Sequence, residues 1–262
     1  MELTIALAQM NIFQGHLEKN YLKALEFLKE ARKSRAQVVL FPELWSSGYD
    51  LKNQSLYAQQ NLELMSELSQ QAQENGFFIG GSYITLQEGH YYNSFILIAP
   101  SGQIISQYHK IHLFAPLNEN RYFSPGQKPV TAQIAGLTGG LAICYDLRFP
   151  ELFRTYLDQD ADSFFLVAQW PTSRMDHWEI LLRARAIENQ ALIAACNAVG
   201  LSGKVTNGGG SLILSPWGEI LARGSIYDED FVQATVSLES IHDVRTNFPV
   251  LRDRHVHHYP KN

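Results

Sequence analysis

The stretch Leu141-Ala-Ile-Cys-Tyr-Asp146 joins a short apolar run to a cysteine and then to polar residues. A short run of this kind is typical of a buried strand. Its carboxyl end places Cys144 at the edge of a sheet, where ligands bind in open α/β folds. The same arrangement occurs earlier, where the apolar run Ala36–Phe41 is stopped by Pro42 and followed by Glu43. The two stretches predict an α/β fold whose strand ends carry reactive side chains.

Strands and helices alternate on both sides of this stretch. Apolar residues at helical spacing predict one helix up to about Lys33. A second helix that closes near Gly76 is predicted from the apolar stripe of Leu62, Met65, Leu68 and Ala72. Two strands are expected around Gly136-Leu-Thr-Gly-Gly140, and Gly208-Gly-Gly210 is expected to form a flexible turn. The later segments predict a helix over 150–157, a strand over 163–168, a helix over about 176–189 and a strand over 191–197. Because no low-complexity linker interrupts this alternation, we expect residues 1–262 to form one domain.

Composition narrows the class of protein. The chain has 262 residues, of which 45% are hydrophobic and 18% charged, so it carries enough apolar side chains for a large core. Its net charge of −5 offers no basic surface to nucleic acid or to a membrane. The apolar runs are far shorter than the ~20 residues that span a bilayer. Two cysteines and a start without a signal-peptide pattern predict a cytoplasmic protein.

Several familiar motifs are absent from the sequence. It has no Gly-x-Ser-x-Gly elbow, no phosphate-binding glycine loop, no Gly-x-Gly-x-x-Gly and no Cys-x-x-Cys. A cysteine at a strand end, Cys144, is therefore the first candidate for chemistry. A buried structural role is the common fate of a free cysteine, and it remains the interpretation for Cys196.

Two charged residues share the strand-end position of Cys144. Glu43 and Lys110 each follow an apolar strand. A thiol needs a base to become nucleophilic, and a developing oxyanion needs a cation or an N–H donor. Glu43, Lys110 and Cys144 supply one of each, although spacing alone leaves open that the two charged side chains are solvated at loop edges.

The contexts of these three residues resemble the nitrilase superfamily of carbon–nitrogen hydrolases. The matching strings occur in the order Phe41-Pro-Glu-Leu44, His109-Lys-Ile-His-Leu-Phe114, Ser124-Pro-Gly126, Ile143-Cys-Tyr-Asp-Leu-Arg-Phe-Pro-Glu151, Arg183-Ala-Arg-Ala-Ile-Glu-Asn189 and Ser215-Pro-Trp-Gly-Glu219. The resemblance implies a four-layer α-β-β-α sandwich that pairs into a homodimer. It also implies a Glu43-Lys110-Cys144 triad with a second glutamate at Glu119.

The strings around Cys144 and Trp170–Trp178 are most similar to those of omega-amidases, which hydrolyse the terminal amide of acids such as 2-oxoglutaramate. We hypothesise that Glu43 accepts the thiol proton and that Cys144 attacks the amide carbonyl. Lys110 and the backbone N–H of Tyr145 would hold the oxyanion, and Glu119 would orient Lys110 or the substrate nitrogen. This chemistry requires no metal and no organic cofactor.

A substrate carboxylate needs a cationic anchor, and Arg174, between a strand end and a helix start, is the first candidate. Arg148 is an alternative, although it equally suits a structural pairing with Asp146 or Glu151. Four aromatic residues near strand ends are candidates for the pocket wall, or else simply core: Tyr49, Phe114, Trp170 and Trp178.

Other functions stay open at this point. His109, His112 and His177 fall near the expected site, which allows a papain-type Cys-His hydrolase, although the local signatures of that class are missing. The tract His255-Val-His-His258 resembles a small metal-binding motif, but a tail of this kind is more often solvated. A nitrile, an N-carbamoyl compound or another acyl acceptor would keep the enzyme and change its substrate, and a catalytically silent binding or scaffold protein is the remaining class.

Overall fold

The computed structural model describes residues 2–255. Within them the strands are β1 (Glu2–Gln9), β2 (Val38–Leu40), β3 (Phe78–Gln87), β4 (His90–Ile98), β5 (Ile104–His109), β6 (Thr131–Ile134), β7 (Leu137–Ile143), β8 (Ser163–Ala168), β9 (Leu192–Asn197), β10 (Val199–Ser202), β11 (Val205–Gly208), β12 (Leu212–Leu214), β13 (Ile220–Arg223) and β14 (Asp230–Ser237). The helices are α1 (Leu17–Lys33), α2 (Gln54–Asn75), α3 (Glu119–Tyr122), α4 (Pro150–Leu157), α5 (Met175–Asn189) and α6 (Leu238–Asn247).

Twelve of these strands form two six-stranded sheets with a common plan. The first sheet has the order β14-β1-β2-β3-β4-β5, and the second has the order β13-β12-β9-β8-β7-β6. Each has three parallel strands at its centre, β1-β2-β3 in one and β7-β8-β9 in the other, and antiparallel strands outside them. A two-stranded ribbon, β10-β11, stands apart from both.

The two sheets face each other across a central core, and helices cover their outer faces. Strand β8 illustrates the alternation, because Phe165 and Val167 point into the central core while Phe164 and Leu166 pack against the outer helices. Burial on both faces explains why such strands are continuous apolar runs. Helices α1 and α2 cover the first sheet, and α4 and α5 cover the second. The four-layer α-β-β-α prediction is therefore confirmed.

Strand β7 is longer than the sequence predicts. It begins at Leu137, so Gly139 and Gly140 lie inside the strand rather than in a loop. A Cβ atom on Gly139 would stand 2.6 Å from the ring of Phe165, and one on Gly140 would stand 2.7 Å from Tyr156. These glycines therefore allow side chains to pack closely against the sheet, whereas the sequence pattern alone predicts a turn at this position.

Two further expectations were wrong. Helix α2 begins at Gln54, and Leu62, which was assigned to its apolar stripe, is 73% exposed. The segment Gly208–Gly210 is buried at the end of the β10-β11 ribbon, which the sequence analysis did not predict, so it is not a free turn. Hydrophobic periodicity indicates neither the exposure of Leu62 nor the pairing of β10 with β11.

The fold brings four strand ends to one place. Glu43 lies just beyond β2 and Lys110 follows β5, both in the first sheet, whereas Cys144 follows β7 and Gln169 follows β8 in the second. Cys196 lies in the central core and is fully buried, as expected. No helix within residues 2–255 is long and apolar enough to cross a membrane. Of the histidine tract, residues 256–258 lie outside the described residues.

Candidate active site

A buried lysine joins two carboxylates at the base of the site. The Nζ atom of Lys110 donates hydrogen bonds to Oε1 of Glu43 at 2.7 Å and to Oε1 of Glu119 at 2.8 Å. All three side chains are fully buried. Burial alone lowers the pKa of Lys110, but the charges of Glu119 and Glu43 outweigh it and raise that pKa well above its usual range. The lysine is therefore a permanent cation.

Among residues 2–255, the groups that form hydrogen bonds with the Glu43 carboxylate are all donors. Besides Lys110, the side-chain amide of Asn93 donates to its Oε1 atom at 2.8 Å, and the backbone N–H of Gln169 donates to its Oε2 atom at 3.0 Å. The side-chain amide of Gln169 also donates to the backbone oxygen of Glu43 at 2.8 Å. Both sheets thus fix the orientation of this carboxylate.

Glu119 lies in the segment between β5 and β6. It is the first residue of α3, a single helical turn. Its Oε1 atom also accepts a hydrogen bond from the hydroxyl of Tyr49 at 2.6 Å, and its Oε2 atom accepts one from the backbone N–H of Phe114 at 2.8 Å. Burial raises the pKa of Glu119, and the charge of Lys110 opposes that rise only in part.

Cys144 begins a 3-10 turn over Cys144–Arg148 and has a left-handed backbone, with φ of +46°. Its side chain is partly exposed, lines a pocket and lies near enough to Glu43 to be affected by the charge of that carboxylate. Desolvation and the charge of Glu43 raise the pKa of the thiol well above its usual range, against the opposing charge of Lys110. The resting side chain is therefore a neutral thiol, and the nearby Glu43 carboxylate is the group that can accept its proton.

The turn that carries Cys144 is fixed by Asp146. One carboxylate oxygen accepts hydrogen bonds from the backbone N–H of Ile143 at 2.9 Å and from the hydroxyl of Tyr108 at 2.8 Å. The other lies 2.7 Å from Nδ1 of His112, whose ring stacks on Phe149 at 3.7 Å. Asp146 is therefore a structural residue of the turn, and these partners take the place of the expected pairing with Arg148.

The three histidines that suggested a papain-type site all have other partners. His112 binds Asp146, Nδ1 of His109 lies 2.7 Å from the hydroxyl of Ser94, and Nδ1 of His177 lies 3.2 Å from Arg148. The charges that act on the thiol are those of Glu43, Lys110 and Glu119, and these three imidazoles bind other groups. Within residues 2–255, no group of three or more histidine, cysteine, aspartate or glutamate side chains is arranged to hold a metal ion.

The thiol opens into a small pocket of about 70 Å³. Two cations reach its wall: the guanidinium of Arg148 lies over the ring of Trp170 at 4.8 Å, and that of Arg174 lies over the ring of Phe114 at 5.7 Å. Tyr49 and Tyr145 also line the pocket. The structure thus brings together five of the six residues assigned to substrate binding.

The sixth assignment, Trp178, is wrong. This residue is fully buried behind Trp170, with the ring centroids 5.5 Å apart, and its indole N–H donates to the backbone oxygen of Gly210 at 2.8 Å. It lies on the face of α5 that packs against the second sheet. Its aromatic character therefore serves the outer core and does not reach the pocket.

Two residues of the site were missed by the sequence analysis. Asn93 is a polar residue within the apolar strand β4, and Gln169 directly follows β8 in the same position that Glu43 has after its strand. A polar side chain in a buried run requires a partner, because an unpaired buried polar group is costly. That signal was available, but it does not say which partner is involved.

Comparison with known proteins gives consistent matches. Residues 4–246 match the carbon–nitrogen hydrolase family. A 2-oxoglutaramate amidase of Bacillus subtilis strain 168 is 38% identical over 97% of this chain and 98% of its own length. An omega-amidase of Escherichia coli K12 is 34% identical over 82% of this chain and 83% of its own. The structure of a CN-hydrolase superfamily protein from Xanthomonas campestris, with an arsenic adduct in its active site, has a TM-score of 0.92 and 27% identity over all of both chains.

Proposed function

Because the chain belongs to the carbon–nitrogen hydrolase family, we propose that it hydrolyses the terminal amide of a small carboxylic acid monoamide, such as 2-oxoglutaramate, to the acid and ammonia. Family membership confirms the resemblance to the nitrilase superfamily and makes the chain an enzyme that hydrolyses amide C–N bonds. One observation carries the proposal: Cys144 lines a pocket near a lysine that the buried carboxylates of Glu43 and Glu119 hold in place.

In the acylation step, the Cys144 sulfur attacks the amide carbonyl while Glu43 takes the thiol proton. The raised pKa of the thiol means that proton transfer accompanies the attack, because a free thiolate is disfavoured beside Glu43. The ammonium group of Lys110 and the backbone N–H of Tyr145 stabilise the tetrahedral oxyanion. Glu43 returns its proton to the nitrogen, the C–N bond breaks, ammonia leaves, and an acyl thioester remains on Cys144.

In the deacylation step, Glu43 accepts a proton from a water molecule that attacks the thioester carbonyl. The C–S bond then breaks, the sulfur regains its proton from Glu43, and the carboxylic acid leaves. Glu119 acts as a positioning residue in both steps, because it accepts a second hydrogen bond from Lys110 and binds the hydroxyl of Tyr49. No step calls for a cofactor.

The substrate carboxylate is assigned to the arginines of the pocket wall. Arg174 and Arg148 are half-buried, and each lies over an aromatic ring that restricts its position. A guanidinium group matches the geometry of a carboxylate and stays charged at every relevant pH. Tyr49, Phe114 and Trp170 shape the remaining wall.

The test is ammonia release from four compounds: 2-oxoglutaramate, glutamine, a simple nitrile and an N-carbamoyl amino acid. Wild type and Cys144→Ala are compared, and intact mass after rapid quenching detects an acyl group on Cys144. We expect turnover of the oxo-acid amide that depends on Cys144. Turnover confined to the nitrile or to the carbamoyl compound would reject the substrate class and keep the nucleophile, whereas turnover by Cys144→Ala would reject the mechanism.

We further propose that residues 1–262 act as one hydrolase domain in the cytoplasm and pair as a homodimer. The family match over residues 4–246 supports one domain. The dimer is supported by exposed apolar side chains on α5, where Ile180 and Ile187, seven residues apart, are 65% and 51% exposed. Light scattering should give twice the mass of one chain, and Ile180→Glu should lower it.

A further inference from the structure

Gln169 joins the general base to the space that receives the substrate. It directly follows β8, and it lines both the pocket at Cys144 and an adjoining cavity of about 240 Å³. Although it lines both spaces, the residue is only 7% exposed. Its backbone N–H donates to Oε2 of Glu43, and its side-chain amide donates to the backbone oxygen of Glu43. Gln169 is therefore fixed beside the carboxylate that takes part in every proton transfer of the reaction.

The bond to the backbone oxygen of Glu43 defines how the Gln169 amide is turned. A carbonyl oxygen only accepts hydrogen bonds, so the atom that faces it is Nε2. The Oε1 atom of Gln169 is then the free branch of the amide, and it accepts no hydrogen bond from residues 2–255. It is not one of the enclosed polar atoms that lack a partner, so it keeps accessible surface. Because Gln169 lines the two spaces, this acceptor oxygen is available to a molecule bound there.

The two oxygens of the Glu43 carboxylate have different numbers of partners. Within residues 2–255, Oε1 accepts hydrogen bonds from Lys110 and Asn93, whereas Oε2 accepts one, from the backbone N–H of Gln169. A carboxylate oxygen has two acceptor positions, so Oε2 keeps one position for the proton of the thiol. The same oxygen must later give this proton to the leaving nitrogen. That nitrogen therefore has to approach Oε2, and with it Gln169.

We propose that Oε1 of Gln169 accepts a hydrogen bond from the leaving nitrogen and thereby makes the enzyme selective for amides over esters. When Cys144 adds to the carbonyl, the amide nitrogen becomes pyramidal, and an N–H donated to Gln169 turns its lone pair toward the protonated Glu43. The proton moves to the nitrogen, the C–N bonding pair leaves with it as ammonia, and the thioester forms. An ester oxygen has no hydrogen to donate to Gln169, so it gains nothing from this contact. The inference rests on the proposed function and names the residue that selects the leaving group.

The test compares 2-oxoglutaramate with the 5-methyl ester of 2-oxoglutarate. Both compounds give the same thioester on Cys144 and the same final acid, so they differ only in the leaving group. Gln169→Met keeps the length of the side chain and removes the acceptor. It should lower the amide-to-ester ratio of kcat/KM by about fivefold or more, as one lost hydrogen bond implies. Asn93→Ala is the matched control, because it also removes a hydrogen bond to Glu43 but leaves Gln169 intact, and it should lower both values of kcat/KM and keep the wild-type ratio.

The outcomes separate this inference from the proposed function. If wild type hydrolyses the amide but Gln169→Met loses the same factor on both substrates, the function stands and the role of Gln169 is overturned, because a displaced Glu43 alone gives that result. Failure of wild type to hydrolyse 2-oxoglutaramate removes the proposed function, and the inference with it. Gln169 is buried, so thermal unfolding of each variant is measured alongside. If Gln169→Met does not fold, the amide-to-ester ratio of Gln169→Ala decides the matter.

Discussion

Replacement of Glu43 by glutamine tests the role of Glu43 as the general base, because it removes the proton acceptor and keeps the size of the side chain. Two effects can be estimated, one on the rate and one on the stability. Loss of a general base lowers the rate by about 10²–10⁴-fold, which corresponds to about 3–5 kcal/mol of transition-state stabilisation. In addition, every hydrogen-bond partner of the carboxylate is a donor: Lys110, Asn93 and the Gln169 N–H. The new NH2 group therefore meets at least one donor, which costs about 1–3 kcal/mol of stability.

The same substitution should change the thiol in the opposite sense. The charge of Glu43 contributes to the raised pKa of Cys144, so its removal lowers that pKa and increases the thiolate fraction at neutral pH. We therefore expect Glu43→Gln to lose turnover and yet to react with iodoacetamide at a lower pH than wild type. Lys110→Met, which removes the opposing charge, should shift the alkylation profile to higher pH.

The assay is steady-state ammonia release together with alkylation followed by peptide mass spectrometry from pH 6 to pH 10. Cys196 is fully buried and serves as the internal control that the protein stays folded. Turnover of Glu43→Gln within threefold of wild type would refute the role of Glu43 as the base. An unchanged alkylation profile would refute the claim that its charge controls the thiol.

Three further substitutions test other parts of the structure. Lys110→Met should lower the free energy of unfolding by about 3–5 kcal/mol at pH 8, because it leaves buried carboxylates without their cation. The loss should shrink toward pH 5, because the folded-state pKa of Glu119 is raised and its protonation stabilises the folded protein. Urea unfolding checks this, and adding Glu119→Gln should restore part of the loss; a larger loss in the double variant would contradict the account. Arg174→Ala should raise KM for acidic amides and spare neutral ones, and equal effects on both would exclude it as the anchor. Gly139→Ala should destabilise the fold by about 1–3 kcal/mol in thermal unfolding, since its Cβ would stand 2.6 Å from Phe165; an unchanged Tm would show that the strand yields at no cost.

The arrangement of strand ends was predictable from the sequence. Apolar runs that stop at Glu43 and Cys144 indicate buried strands whose carboxyl ends lie at the edge of a sheet. The order of these residues in the sequence does not predict the distances between their side chains, however. That Lys110 lies between two carboxylates depends on how the sheets pack, and that packing is a property of the whole core.

The errors have a common physical cause. Trp178 and Gly139 were assigned from their residue types, as a pocket aromatic and as a turn glycine. In the fold, Trp178 packs behind Trp170, and Gly139 makes room for a phenylalanine ring. A residue type restricts what a position can do, but its neighbours decide between core and pocket, and those neighbours are distant in sequence.

The base and the nucleophile stand on different sheets, so activity is a measure of how the two halves of the sandwich are aligned. A slip of about 1 Å between the sheets is enough to cost two orders of magnitude in rate, although each sheet would keep its own hydrogen bonds. Substitutions deep in the central core, such as Val167→Ala, should therefore reduce turnover well before they unfold the protein. Neither sheet alone holds both Glu43 and Cys144. The recovery of turnover during refolding would therefore measure the rate at which the two sheets pack together.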